Sequence, residues 1–194
     1  MARNALRFAE QPHSVSAPLQ PRVVPIYWDP HFRKVPTDVA AIDEFLRTLF
    51  RSSWMSELSS YYMEPPRLLR SVLPKDEAPV TLTRSALETK LVDWLVGGVI
   101  TPKPKRADSS LIYLVLTPCG TKVTPRETKK PSSSYVASAS FERDGIVRGA
   151  SPSEHNLIYS VVPLLSTSGE ILEQHSLAMS QALTQALVRA VRRH

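Results

Sequence analysis

One stretch predicts the fold of this chain: Leu111-Ile112-Tyr113-Leu114-Val115-Leu116-Thr117. Its β-branched, aromatic and aliphatic residues favour a pleated strand. A strand with one solvated face alternates polar and apolar residues, whereas a nearly continuous apolar run indicates burial on both faces. We therefore expect this segment to be the central strand of a sheet.

Further strands are predicted on both sides of this stretch along the chain. The segments rich in β-forming residues are 22–28, 68–73, 134–141 and 157–162. Between some of them, apolar residues recur at the three-and-four spacing of amphipathic helices. This uneven alternation predicts an α+β or α/β domain, with a mixed sheet of about four to five strands and helices packed on it.

Three helices are predicted ahead of the central strand. The first follows a cap at Thr37 or Asp38, and the second is short and spans about 54–61. The third begins at Thr83 or Ser85, where Glu88 is spaced to form a capping box with Ser85. The core residues that we predict on the first and third helices are Ile42, Phe45, Leu46, Leu49, Phe50, Leu87, Leu91, Trp94 and Leu95.

Length and composition are typical of one globular domain. The chain has 194 residues, of which 42% are hydrophobic and 22% are charged. We expect a flexible arm over residues 1–21 and a single globular domain over 22–194. No apolar run approaches the about 18 residues that a bilayer span requires. The single cysteine, Cys119, excludes an intrachain disulfide and favours a reducing, cytoplasmic location.

The net charge is +6, and much of the excess is local. Basic residues cluster at 103–106, at 122–130 and at the C-terminus. Such clusters can bind phosphate or an acidic partner. However, no aromatic residues interleave with the charges as nucleic-acid platforms usually require, so solvated loops are favoured and nucleic acid is an unfavoured partner. The N-terminal arm has no core of its own, which is compatible with a homo-oligomer in which a second copy holds it.

The C-terminal region is predicted to form a long helix from about 170 to 193. Its apolar stripe is Met179, Leu183, Ala186, Leu187 and Ala190. Gln181 and Gln185 lie one turn apart on nearly the opposite side. In a metallopeptidase, this spacing is where two metal ligands sit, with a glutamate next to the first.

Several segments, taken in order, resemble a known family. They are Val24-Pro25-Ile26-Tyr27-Trp28, followed by 53–61, 112–118, 158–163 and the last helix. Together they resemble the EXORDIUM-like (phosphate-induced-protein) family and its bacterial relatives with a zincin-like layout. In those relatives the last helix commonly reads Ser-His-Glu-Leu-x-Glu-Ala. The resemblance implies a zincin-like fold for this chain.

The family's metal motif is changed in this sequence. Ser180, Leu183 and Ala186 match it, whereas Gln181, Ala182 and Gln185 replace its His and both its Glu. An amide is a poor ligand for zinc, and alanine cannot transfer a proton. A shifted alignment places His175 against the family His but still lacks the Glu. The five histidines also show no local metal-ligand spacing, so we expect no metal and no cofactor.

The candidate ligand-binding residues are therefore polar or aromatic groups around a cleft without a metal. Tyr27, Trp28 and Asp29, at the end of the first predicted strand, can supply an aromatic wall and a polar group. The other candidates are His175, Gln181 and Gln185. For each of them there is a simpler interpretation, which is core packing for the aromatic residues and a solvated helix face for the two glutamines.

Three functions remain open from the sequence. The first is a pseudoenzyme that binds a small molecule or a protein partner in this cleft without proteolysis. The second is a small-molecule enzyme of a metabolic pathway that uses the same cleft, with His175 or Asp29 as acid or base. The third is binding of nucleic acid or another anionic partner by the basic loops.

Overall fold

The computed structural model describes residues 20–53, 64–102, 110–118, 121–124, 135–142, 145–147, 155–163, 180 and 183–187. The strands are β1 (Arg22–Tyr27), β2 (Arg67–Leu68), β3 (Thr81–Thr83), β4 (Leu111–Thr117), β5 (Lys122–Thr124), β6 (Tyr135–Glu142), β7 (Gly145–Val147) and β8 (His155–Pro163). The helices are α1 (Pro30–Lys34), α2 (Pro36–Arg51) and α3 (Arg84–Val96). Residues 183–187 are also helical.

The main sheet has six strands in the order β2-β1-β4-β8-β6-β7. The first four are parallel to one another, whereas β6 is antiparallel to both β8 and β7. Strands β3 and β5 form a separate parallel pair. Helices combined with a mixed sheet confirm the α+β or α/β class. The sheet is wider than predicted because β7, with three residues, is too short to give a clear pattern in the sequence.

The central position of β4 is confirmed. It lies between β1 and β8, and all seven of its residues are buried. Parallel strands that are covered on both faces need apolar side chains on both, which explains the continuous apolar run.

Each face of the sheet has its own hydrophobic cluster. The α2 face holds Ile42, Leu46 and Phe50 of α2 together with Leu183, Ala186 and Leu187. The α3 face holds Leu87, Leu91, Trp94 and Leu95 of α3. Within β4, Ile112, Leu114 and Leu116 point to the α2 face, and Leu111, Tyr113 and Val115 point to the α3 face. The predicted core residues Phe45 and Leu49 are partly buried against the first cluster.

The predicted start of the first long helix is wrong. Helix α2 begins at Pro36 with Val35 as N-cap and without a capping side chain, rather than after Thr37 or Asp38. Proline at the first position supplies a helical φ and lacks the N–H that a cap would satisfy. The segment that follows β1 is the short helix α1, in which the Asp29 carboxylate accepts a hydrogen bond from the His31 amide.

Helix α3 is predicted correctly except for its capping box. The Thr83 hydroxyl caps it by accepting from the Ala86 amide at 3.2 Å. Glu88 is therefore five residues after the cap, too far along the helix to reach back, and its side chain is buried instead. The helix ends at Gly97, and Gly98 has a φ of +72°, which glycine adopts without strain.

Other predictions fall outside the described residues. These are the arm up to residue 19, the short helix at 54–61, Cys119, the basic residues at 103–106, and most of the helix predicted at 170–193. Of that helix, residues 180 and 183–187 are helical. The predicted strand at 68–73 is reduced to β2 and an isolated bridge between Ile26 and Val72. None of the helices in the described ranges is long and apolar enough to cross a membrane.

Candidate functional site

The order of the parallel strands reverses beside β1. After β1 the chain crosses the α2 face and forms β2, which neighbours β1 on one side within the sheet. It then crosses the other face through α3 and forms β4, which neighbours β1 on its other side. In open α/β sheets, ligands bind outside the carboxyl ends of the strands at such a reversal. We name this place the switch-point edge and define it by Trp28 and Asp29 after β1 and by Thr117 and Pro118 at the end of β4.

The two strands are joined at the switch-point edge by the backbone. Tyr27 and Leu116 are partners in the register, and the Trp28 amide donates to the Leu116 carbonyl at 2.8 Å. Trp28 therefore lies beside Thr117. Trp28 belongs to the α3-face cluster, and Thr117 points to the same face because it lies two residues beyond Val115.

Two buried polar atoms at this edge have no hydrogen-bond partner within the part of the chain that the structure describes. They are the Trp28 indole Nε1 and the Thr117 Oγ1. The Trp28 ring packs edge-to-face with Trp94, with centroids 4.7 Å apart. A third such atom, Ser160 Oγ, lies in the middle of β8 beside Leu114, and it shares the α2 face with Ile158 and Val162. Two of the three atoms are thus at the switch-point edge.

Asp29 links the edge to a histidine–carboxylate pair. Its Oδ1 accepts from the His31 amide at 2.8 Å, and this bond fixes the start of α1. The His31 Nε2 lies 2.8 Å from the Asp38 Oδ2 in the first turn of α2. The two side chains are 26% and 21% exposed, so the pair is accessible from solvent.

Tyr27 lies on the opposite face of the sheet from Trp28. It is fully buried in the α2-face cluster, and its hydroxyl donates to the Asp43 Oδ1 at 2.7 Å. Ser71 donates to the other oxygen of the same carboxylate at 2.5 Å. Burial, followed by the Asp43 charge, raises the pKa of Tyr27 far above its ordinary value. The prediction that Tyr27 and Trp28 form one wall of a cleft is therefore wrong, because successive residues of a strand point to opposite faces.

A second buried carboxylate lies on the α3 face. The Glu88 Oε1 accepts from the Tyr159 hydroxyl at 2.6 Å and from the Arg84 Nε at 2.7 Å. Glu88 is 3% exposed, whereas Arg84 is 42% exposed. Burial alone would lower the pKa of Arg84, but the bond to Glu88 and the neighbouring charges raise it above its ordinary value.

Of the ligand-binding residues predicted on the C-terminal helix, the structure describes Gln185. His175 and Gln181 lie outside the described residues. Gln185 is exposed, whereas Leu183, Ala186 and Leu187 around it are buried. This placement favours the solvated-face interpretation of Gln185. Of the predicted set, Trp28 and Asp29 are together at the switch-point edge.

Sequence reasoning missed Thr117, His31 and Asp38. Thr117 was recognisable only as the last residue of the central strand. His31 and Asp38 could have been located from Pro30 and Pro36, because proline is favoured at the first position of a helix and the two prolines mark two consecutive helix starts. Within the described ranges, no group of three or more His, Cys, Asp or Glu residues is arranged to hold a metal ion.

Comparisons with family models, with curated proteins and with solved structures gave no match to this chain.

Proposed function

We propose that this protein binds a ligand at the switch-point edge and acts as a binding protein or subunit rather than as a metallopeptidase. The observation that supports the proposal is the pair of buried polar atoms, Trp28 Nε1 and Thr117 Oγ1, on adjoining strands where the strand order reverses. In this proposal the location is cytoplasmic, and the ligand is a small molecule or a segment of a protein partner.

The chemistry of the two atoms defines what the ligand must offer. An indole N–H only donates, and a hydroxyl can donate or accept. A buried polar group without a partner costs about 1–3 kcal/mol. A ligand that places carbonyl or carboxylate oxygens against Trp28 and Thr117 would recover this cost, so we infer a ligand rich in acceptor oxygens.

The absence of metal chemistry is the second part of the proposal. The sequence has Gln181, Ala182 and Gln185 where zincin-like relatives have two ligands and a base. On this basis we propose a divergent metallopeptidase-like scaffold with a long C-terminal helix. Elemental analysis of the purified protein tests this part, since stoichiometric zinc, or peptide cleavage that a chelator abolishes, would contradict it.

Two buried hydroxyls provide a matched experiment for the binding site. Thr117→Val and Ser160→Ala each remove a hydroxyl that has no partner, the first at the switch-point edge and the second on the other face of the sheet. Thermal unfolding of the native protein and both variants is measured against a panel of sugars, carboxylic acids and nucleotides.

We expect an oxygen-rich compound to raise the melting temperature of the native protein and of Ser160→Ala, and not that of Thr117→Val. Neither substitution should lower the melting temperature without ligand, because Thr117→Val replaces an unpaired hydroxyl by a methyl group of the same shape and Ser160→Ala removes an unpaired hydroxyl. If Thr117→Val keeps the full ligand-dependent increase, the binding site does not include Thr117 and the proposal fails.

A metal-free enzyme is the second candidate function. The observation that favours it is the His31–Asp38 pair, because an imidazole that is oriented by a carboxylate is a common arrangement for proton transfer. This candidate differs from ligand binding alone by requiring that His31 change a bound compound chemically.

A further inference from the structure

We infer that the Nδ1 atom of His31 is a general base that takes a proton from a water molecule or from a hydroxyl group of a compound bound at the switch-point edge. The inference rests on the proposed binding site and adds a catalytic residue to it. Three observations support it: the orientation of the ring, the rigidity of its attachment and its position.

The orientation of the imidazole follows from Asp38. The His31 Nε2 lies 2.8 Å from an Asp38 carboxylate oxygen, which can only accept a hydrogen bond. A neutral ring therefore carries its proton on Nε2 and donates a hydrogen bond to Asp38. The lone pair is then on Nδ1. Asp38 also stabilises the positive charge that forms when Nδ1 accepts a proton, as the buried aspartate does in catalytic triads.

The backbone holds His31 in place from both directions. Its amide donates to Asp29 Oδ1 at 2.8 Å, and its carbonyl accepts from the Val35 amide at 3.0 Å. Asp38 is held in turn, since its amide donates to the Val35 carbonyl at 3.2 Å. The adjacent Phe32 anchors α1 in the core by an edge-to-face contact with Tyr27, with centroids 4.8 Å apart.

The position of His31 is at the edge of the sheet where β1 ends, the same edge that carries Trp28. It lies three residues beyond Trp28, on the segment that leaves the carboxyl end of β1. Its side chain is partly exposed, so water molecules can contact it. In an ester hydrolysis, Nδ1 would take the proton of the water as its oxygen bonds to the acyl carbon. The bond from that carbon to the leaving oxygen then breaks, and the imidazolium returns the proton to that oxygen.

The first measurement is the tautomer of His31, read from long-range 1H–15N correlations in the full chain. We expect the Nε2–H form in the native protein. In Asp38→Asn, the amide can donate to Nε2 and so stabilise the Nδ1–H form, which cannot act as the base. A predominance of the Nδ1–H form in the native protein would overturn the inference.

The second measurement is the hydrolysis of p-nitrophenyl acetate. His31→Gln keeps an N–H that can reach Asp38 but has no basic nitrogen, and His194→Gln controls for the background of other histidines. We expect the rate above buffer to fall about 100-fold in His31→Gln, in keeping with the usual contribution of a general base, and to stay unchanged in His194→Gln. A rate in His31→Gln equal to that of the native protein would show that His31 has only a structural role.

The two proposals fail separately. If Thr117→Val abolishes ligand-dependent stabilisation while His31→Gln leaves hydrolysis unchanged, the binding site stands and the base does not. If His31→Gln abolishes hydrolysis while Thr117→Val keeps its ligand response, His31 is a base but does not act on a compound held by Thr117, and the proposed binding site fails. Thermal unfolding of His31→Gln confirms that any loss of activity is not a loss of folding.

Discussion

The two faces of the sheet each contain a tyrosine that donates to a carboxylate, but the second hydrogen-bond donor to the carboxylate differs between the faces. On the α2 face, Asp43 receives hydrogen bonds from Tyr27 and Ser71, both neutral. On the α3 face, Glu88 receives them from Tyr159 and the guanidinium of Arg84. Asp43 is half-buried, whereas Glu88 is almost fully buried.

This difference follows from the cost of burying charge. A half-buried carboxylate keeps part of its hydration, so two hydroxyl donors are enough for Asp43. A carboxylate that loses nearly all its water needs an opposite charge as well as hydrogen bonds. Arg84 supplies that charge to Glu88, although 42% of its own side chain is exposed. The comparison predicts that the α3 face is the more sensitive to loss of a polar partner.

The largest effect is expected for Arg84→Met, which leaves Glu88 buried without its cation. Removing one partner of a buried ion pair costs about 3–5 kcal/mol, and the partial exposure of Arg84 points to the lower end, about 3 kcal/mol. Urea unfolding measures the change. The control is Arg47→Met, which removes an exposed pair with Glu44 and should cost about 0.5 kcal/mol or less.

Adding Glu88→Gln to Arg84→Met sharpens this result. The amide oxygen still accepts from Tyr159, and no buried charge remains. The double variant should therefore be more stable than Arg84→Met alone. If it is not, the loss in Arg84→Met comes from packing of the arginine side chain rather than from an unpaired carboxylate.

Replacing each of the two tyrosines with phenylalanine compares the two faces directly through the free energy of unfolding. Tyr159→Phe removes one of two donors to a buried charge, and we expect the free energy of unfolding to fall by about 2 kcal/mol. Tyr27→Phe leaves Asp43 with Ser71 and partial hydration, and we expect a loss of about 1 kcal/mol. Both substitutions keep the ring and its packing. Equal losses on the two faces would show that burial of the carboxylate does not determine the effect.

The sequence predicted the layers of this fold better than its polar contacts. The run 111–117 and the apolar stripe of α3 are local patterns, so the central strand and one helix face could be recognised without a structure. Glu88 was assigned to a capping box because its spacing from Ser85 fits one, and spacing alone does not show that Tyr159, 71 residues away, donates to it. The switch-point edge could not be predicted either, because it depends on which strands pair with β1.

At alkaline pH, the free energy of unfolding should depend on pH more steeply in the native protein than in Tyr27→Phe. The pKa of Tyr27 is raised in the folded state by burial and by the Asp43 charge. A tyrosine in the unfolded chain has a pKa of about 10. Above that pH the unfolded chain loses a proton that the folded chain keeps, so stability falls by up to about 1.4 kcal/mol per pH unit. Urea unfolding between about pH 9 and pH 11 should show a shallower decline in Tyr27→Phe. Parallel slopes for the two proteins would contradict this prediction.

The smallest effect is expected for Lys90→Met, which removes an ion pair at the surface of the α3 side. The Lys90 ammonium lies 2.5 Å from the Asp76 carboxylate, and both side chains are about one-third exposed, at 34% and 39%. Partial burial opposes ionisation, but the bond from Lys90 and other contacts lower the pKa of Asp76. Solvent screens such a pair, so we expect a loss of about 0.5 kcal/mol near neutral pH that shrinks with added salt.

The contribution of the Lys90–Asp76 pair to stability should also disappear as the pH falls below the ordinary aspartate range, because the unfolded chain then binds the proton more readily. The loss in Arg84→Met should be far less sensitive to salt, and a similar salt dependence for both variants would mean that Glu88 is not shielded from solvent.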